Sequence, residues 1–140
     1  MSFKSGLALA VVIFSAPLLA QAQDMPAGQR EYMSSCAQCH GASGKGDGFL
    51  AGYLNTPVPD LTTLKKNNGG VFPVASLYGI IDGSDVSGIH GTSDMPAWGM
   101  RYGRQAGRML GREFSPRDEE FFIRGRILSL IEYIDTLQVE

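Results

Sequence analysis

Three residues in this sequence are the strongest candidates for chemistry: Cys36, Cys39 and His40. The two cysteines are the only cysteines in 140 residues. The order Cys-x-x-Cys-His is the attachment sequence for haem c. Each thiol adds to one vinyl group of the porphyrin and forms a thioether, and two intervening residues let both sulfurs reach the same macrocycle edge. The adjacent histidine then lies under the iron, where its neutral imidazole becomes an axial ligand.

Two other uses of this cluster are a thioredoxin-like dithiol and a zinc site. The dithiol requires a βαβ pattern, which the sequence lacks. A structural zinc site normally takes four protein ligands, and the only other histidine or cysteine in the chain is His90. The sequence therefore predicts one covalent haem c, with its iron ligated by His40.

Met95 is the predicted second axial ligand of that iron. Pro96 follows it and restricts the local backbone, while glycine and short polar residues around this pair suit an extended loop across a haem face. A thioether is a neutral ligand that raises the reduction potential. Met100 and His90 remain alternatives, because either is a possible iron ligand in the same region.

The elements that must position these residues are helical. Residues 25–38 predict a helix that carries the cysteines, and residues 41–48 contain four glycines and predict a loop. A short helix is expected after Pro59. Another is expected over residues 73–82, with a proline in its first turn and Gly83 just past its end. Residues 83–98 are rich in Gly, Ser and Asp and predict a loop.

The last helix has the strongest pattern. Ser115, Pro116 and Asp118 read as an N-cap, a first-turn proline and a capping acid. Apolar residues then recur at steps of three and four, the spacing of one helical face. These residues are Ile123, Ile127, Leu130, Ile134 and Leu137. With no convincing alternation of period two, the fold class is predicted to be all-α.

Residues 99–114 are rich in glycine and arginine and match neither a simple helix nor a short turn. Two interpretations of this segment remain. It is either a loop that binds a partner or the haem propionates, or a flexible connection. Residues 101–126 hold seven arginines against four acids. This excess could steer an acidic partner, but we favour a solvated face whose arginines pair with propionates or nearby acids.

The N-terminal segment has the pattern of an export signal. Lys4 precedes an apolar run over residues 7–20, and Ala20-Gln21-Ala22 is a small-x-small cleavage site. An uncleaved anchor is the alternative, but the run contains Pro17 and is shorter than the roughly 20 residues that span a bilayer. We expect residues 1–22 to be removed, leaving one domain over 23–140 in the periplasm, without stable membrane insertion. The formal net charge of −2 does not suggest nucleic acid.

Taken together, these features resemble the class I, mono-haem cytochrome c family over nearly all of the mature chain. The matching motifs are Gly28-x-x-x-Tyr32, Cys36-Ala37-Gln38-Cys39-His40-Gly41, Gly44-Lys45-Gly46-Asp47-Gly48, Pro59-Asp60-Leu61, Met95-Pro96-x-Trp98 and a final amphipathic helix with Tyr133. The resemblance implies a small helical fold wrapped around one haem. It also implies that the first and last helices cross at Gly28, with Tyr32 and Tyr133 nearby.

Further site residues follow from the same resemblance. The Pro59 carbonyl would accept a hydrogen bond from the second ring nitrogen of His40, with Pro57 as the alternative. Trp98 would pack at the haem edge or donate to a propionate, or else fill the core. His90 has no assigned role.

The resemblance implies an electron carrier and not an enzyme. Iron bound by both His40 and Met95 has no open position for a substrate, and electrons would pass to periplasmic or membrane-bound redox proteins in transient contacts. One alternative is the haem subunit of a periplasmic dehydrogenase or oxidase. A less favoured one is a haem-based sensor or peroxidase, which needs an open or labile sixth position.

Overall fold

The computed structural model describes residues 25–85, 95–111 and 113–139. Within these ranges the regular structure is entirely helical, as the sequence predicted. The described part contains no helix with both the length and the apolar content required to cross a bilayer. The proposed signal peptide and His90 lie outside the described residues.

The segment that carries the cysteines is helical from residue 27 to residue 40 but is not one regular α-helix. Helix α1 (Ala27–Glu31) passes into a π-helical turn (Tyr32–Cys36), and α2 (Ala37–His40) completes it. A π turn contains an extra residue per turn, and such turns often occur at functional sites. The sequence predicted a helix over residues 25–38, two residues earlier at each end, and it did not predict this change of winding.

Loops and short helices follow, as predicted. Residues 41–50 contain turns and no regular helix. A 3₁₀ turn spans Leu61–Thr63 and leads into α3 (Leu64–Asn67), which confirms the short helix expected after Pro59. Asp60 caps this turn, since its carboxylate accepts from the Thr62 backbone N–H at 2.8 Å.

Helix α4 (Val74–Asp82) confirms the helix expected over this part of the chain. Its N-cap is Pro73, one position earlier than a first-turn proline. Gly83 follows the helix with φ of +89°, the left-handed conformation that glycine adopts readily at a helix end.

The prediction for residues 99–114 is wrong in its main feature, because Trp98–Met109 form a regular helix, α5. Trp98, Tyr102 and Ala106 recur every four residues and are buried, so one face packs against the core. At Gly99 a Cβ would lie 2.3 Å from the Asp82 carboxylate, so glycine lets α5 begin against the end of α4. Packing thus outweighs the low helix propensity of glycine.

Helix α6 (Pro116–Thr136) begins with the predicted capping box between Ser115 and Asp118. It packs against α1, α4 and α5. The most deeply buried members of its apolar face are Ile127, Leu130, Ile131 and Ile134.

The expected crossing of the first and last helices is confirmed. A Cβ on Gly28 would lie 1.9 Å from the backbone oxygen of Ser129, so only glycine permits this approach. The rings of Tyr32 and Tyr133 pack beside the crossing with centroids 5.2 Å apart.

Candidate functional site

The structure places the two thiols and the imidazole on one short helical stretch. Cys36 ends the π turn, and Cys39 and His40 end α2. Cys36 and His40 are each only 8% exposed, whereas Cys39 is partly exposed. Both cysteines are free thiols and are not joined in a disulfide. The segment therefore presents two thiols and one imidazole within two turns of the chain.

The environment of Cys36 differs from that of a redox-active dithiol. Burial raises the pKa of its thiol to about 12, with further contributions from the charges of Glu31 and Cys39. Cys-x-x-Cys oxidoreductases instead lower the pKa of the attacking cysteine, usually at a helix N-terminus. Cys36 lies in the interior of a helical segment and remains a neutral thiol at physiological pH. This environment is unlike that of the low-pKa attacking cysteine of a dithiol oxidoreductase.

His40 is oriented by a backbone carbonyl from the following loop. Its Nδ1 lies 3.4 Å from the carbonyl oxygen of Pro59. A carbonyl can only accept, so the ring proton in this bond is on Nδ1 and the lone pair is on Nε2. Metal-ligating histidines commonly fix their tautomer in this way. The contact involves the Pro59 carbonyl predicted from the sequence, and the alternative, Pro57, has no such bond to His40 among the described residues.

The glycine-rich loop holds the end of α2 against the chain that follows. The Gly46 N–H donates to the His40 carbonyl at 2.8 Å, and the Gly48 N–H donates to the Cys39 carbonyl at 3.0 Å. A Cβ on Gly46 would lie 2.4 Å from the Val58 carbonyl oxygen, so the loop lies directly on the segment that contains Pro59. The loop thus satisfies the last carbonyls of the helix and sets the position of the acceptor for His40.

Met95 is partly buried and packs against the same hydrophobic cluster that contains Cys36. Met100, the alternative ligand, is 67% exposed in the first turn of α5. The structure therefore brings Met95, and not Met100, into contact with the core shared with the attachment helix.

Trp98 is 5% exposed and lies in the core at the start of α5. Its ring packs near that of Tyr102, with the ring centroids 6.1 Å apart. The Arg101 guanidinium lies over the Trp98 ring, 4.8 Å from the ring centroid. This position agrees with the core-filling alternative for Trp98.

A polar cluster beside the attachment helix was not predicted from the sequence. Glu31 forms an ion pair with Arg126 at 2.5 Å and accepts hydrogen bonds from Ser35 at 3.0 Å and Tyr102 at 3.1 Å. Arg126 also donates to Gln105 at 3.3 Å. The cluster joins α1, α5 and α6. Its members are separated by up to 95 residues, so no local sequence pattern could have revealed it.

The chemistry of this donor set fits haem c. Two thiols separated by two residues can bind one porphyrin edge, and an imidazole with Nδ1 engaged can ligate through Nε2. Met95 offers a thioether in contact with the same hydrophobic cluster.

Comparison with known proteins agrees with this assignment. A family model described as Cytochrome c matches residues 26–110, a range that includes Cys36, Cys39, His40 and Met95. A search of curated proteins and a search of solved structures each found no match.

Proposed function

The chain belongs to the cytochrome c family, and on that premise we propose that it is a periplasmic shuttle carrying one electron at a time between redox proteins. Family membership implies covalent haem c, electron transfer and transient redox partners. The compartment, the free-shuttle role and the individual ligands are our proposal. The predicted signal peptide over residues 1–22 supports export, since haem c is attached outside the bacterial cytoplasm.

We assign the haem attachment to Cys36 and Cys39 and the iron ligands to His40 and Met95. Haem c supplies a one-electron Fe(III)/Fe(II) couple. The Pro59 carbonyl keeps the His40 ring proton on Nδ1, so that Nε2 is the ligating atom. Met95 would occupy the sixth position and leave no open site for a substrate.

The observation that carries this proposal is the juxtaposition of the Cys36 and Cys39 thiols with an imidazole already oriented by a backbone carbonyl. It supplies the attachment points and the proximal ligand from one helical segment. The burial of Cys36, which raises the pKa of its thiol, argues against a role in dithiol exchange.

The test is an optical spectrum of the purified periplasmic protein, oxidised and reduced, with and without carbon monoxide. A shuttle should be low-spin in both states, show the weak iron–methionine charge-transfer band when oxidised, and bind no carbon monoxide. A high-spin spectrum or rapid carbon monoxide binding would instead favour a sensor or peroxidase. Stable co-purification with a catalytic chain would favour the subunit alternative.

A further inference from the structure

Glu31 carries a largely buried carboxylate that the proposed function does not use. Its side chain is only 11% exposed, and that of its partner Arg126 is 31% exposed. In the part of the chain that the structure describes, this is the only ion pair. Arg126 thus confirms, for one residue, the expectation that arginines of residues 101–126 pair with nearby acids. Because withdrawing two charges from water costs free energy, a buried pair gives a fold little net stability over apolar residues of similar size.

The pair lies beside the first proposed point of haem attachment. Glu31 precedes Cys36 by five residues, and the π turn between them brings residues five apart onto one side of the helix. Ser35, the neighbour of Cys36, donates a hydrogen bond to the Glu31 carboxylate at 3.0 Å. Burial is the main cause of the raised pKa of the Cys36 thiol, and the charge of Glu31 raises that pKa further. The charge of the carboxylate therefore acts at the sulfur to which we assign the haem.

The surroundings of the pair are mainly aromatic and apolar. Tyr102, which is fully buried, donates to the Glu31 carboxylate at 3.1 Å. The Arg126 guanidinium lies 5.4 Å from the ring centroid of Tyr102 and 5.5 Å from that of Phe122, and its buried Nε has no hydrogen-bond acceptor among the described residues. Tyr102 and Cys36 belong to one hydrophobic cluster. Charges in such surroundings are screened much less than charges at the surface.

We propose that the Glu31–Arg126 pair sets the reduction potential of the haem by keeping the buried charge beside Cys36 balanced. The inference rests on the proposed electron-transfer function and adds the residues that tune the iron couple. Reduction of Fe(III) to Fe(II) takes up one electron from a redox partner and lowers the positive charge at the iron by one. A nearby unbalanced carboxylate favours Fe(III) and lowers the potential, whereas an unbalanced guanidinium favours Fe(II) and raises it.

Neutral variants of the holoprotein separate the effect of charge from that of packing. Glu31→Gln leaves the Arg126 charge unbalanced, Arg126→Gln leaves the Glu31 charge unbalanced, and the double variant removes both charges. Glu132→Gln and Arg124→Gln are matched controls, because they remove the same charges from exposed positions on α6. Reduction potentials are measured by spectroelectrochemistry at neutral pH, at low and at high salt. The iron–methionine charge-transfer band of each variant reports whether the sixth ligand is retained.

We expect shifts of opposite sign in the two single variants. Glu31→Gln should raise the potential and Arg126→Gln should lower it, each by roughly three- to tenfold in the Fe(II)/Fe(III) ratio at a fixed solution potential. A tenfold change corresponds to about 59 mV for a one-electron couple. The double variant should return close to the wild-type potential. The exposed controls should shift the potential less, and high salt should remove their shifts because exposed charges are screened more strongly.

Shifts of the same sign in both single variants would overturn the proposal, because loosened packing would then be the cause. Shifts equal to those of the exposed controls would also overturn it, since net charge alone would explain them. Arg126→Lys covers the case in which a neutral variant does not fold, because lysine keeps the charge and loses the planar guanidinium. Its potential should stay close to that of wild type while its free energy of unfolding falls, and a potential shifted as far as that of Arg126→Gln would contradict a role for charge.

Failure of the proposed function is a separate outcome. High-spin iron or rapid carbon monoxide binding in the wild type would refute the shuttle. The signs of the potential shifts in the variants would still decide whether the Glu31–Arg126 pair tunes the haem.

Discussion

The hydroxyl of Tyr32 donates a 2.7 Å hydrogen bond to the carbonyl oxygen of Gly41, the residue that follows His40. Tyr32 is fully buried, and burial raises the pKa of its hydroxyl, so the hydroxyl stays a protonated donor at physiological pH. Gly41 has a φ of +78° and ends α2. One side chain therefore connects the helix crossing at Gly28 with the turn that positions the imidazole.

Replacement of Tyr32 by Phe should lower the free energy of unfolding of the holoprotein by about 1–2 kcal/mol, because the buried Gly41 carbonyl loses its partner. Guanidinium unfolding followed by circular dichroism measures this. Tyr133→Phe is the matched control, since the described residues contain no hydrogen bond from the Tyr133 hydroxyl, and it should cost less. An equal loss in both variants would mean that ring packing, and not the Gly41 bond, is responsible.

Gly28→Ala tests the helix crossing. The new Cβ would lie 1.9 Å from the Ser129 carbonyl oxygen, which is backbone and cannot move aside by rotation. Separation of α1 and α6 should cost about 2–3 kcal/mol of stability. Gly125→Ala in α6 meets nothing within 4 Å and should be neutral or stabilising by up to about 1 kcal/mol. Comparable losses in the two variants would contradict a steric role for Gly28.

The sequence predicted those features that depend on residues close to one another along the chain. The attachment motif, the capping box at Ser115 and the left-handed position at Gly83 each depend on residues within a few positions of one another. The period of apolar residues predicted α6 for the same reason. The Gly28 crossing came from the family resemblance, since the contact with Ser129 joins distant parts of the chain.

Features set by tertiary packing were missed or misjudged. Helix α5 contains three glycines after Trp98, which lower its intrinsic helix propensity. Two of those glycines instead allow close contacts, with Asp82 at Gly99 and with Glu119 at Gly103. The π turn at Tyr32–Cys36 likewise has no signature in the spacing of apolar residues.

Glu31→Gln should destabilise the protein because it removes the anionic partner of Arg126. The Arg126 side chain is 31% exposed and that of Glu31 is 11% exposed, so we expect a loss of about 2 kcal/mol, below the range for a fully buried pair. Chemical denaturation of the holoprotein measures it. Glu132→Gln removes an exposed acid from α6 and should change stability little. Equal effects would indicate a response to net charge alone.

Asp118 should contribute a pH-dependent part of the stability of α6. Hydrogen bonds from the Ser115 hydroxyl and N–H hold the pKa of Asp118 below its ordinary value of 3.8. A carboxyl with a lower pKa in the folded state binds fewer protons there, so its contribution is present above the unfolded pKa and is lost as pH falls through the folded pKa.

The stability advantage of wild type over Asp118→Asn should therefore be constant above about pH 5 and shrink as pH falls below 3.8. Urea unfolding of both holoproteins from pH 7 to pH 3 measures the difference. Ser115→Ala removes the hydroxyl donor but keeps the backbone donor, and it should give an intermediate pH dependence. An advantage that does not change over this range would show that the capping carboxylate is not bound more favourably in the folded state.

Met95→Ala and Met100→Ala decide the sixth ligand. Met95 packs against the cluster that contains Cys36, whereas Met100 is 67% exposed on α5. Loss of a thioether ligand lowers the reduction potential and opens the iron to added ligands. We therefore expect Met95→Ala to lose the iron–methionine charge-transfer band, bind carbon monoxide and shift to lower potential, while Met100→Ala keeps the wild-type spectrum and potential. The opposite result would transfer the assignment to Met100. If both variants match wild type, the ligand is neither methionine, and His90→Ala becomes the variant expected to change the spectrum.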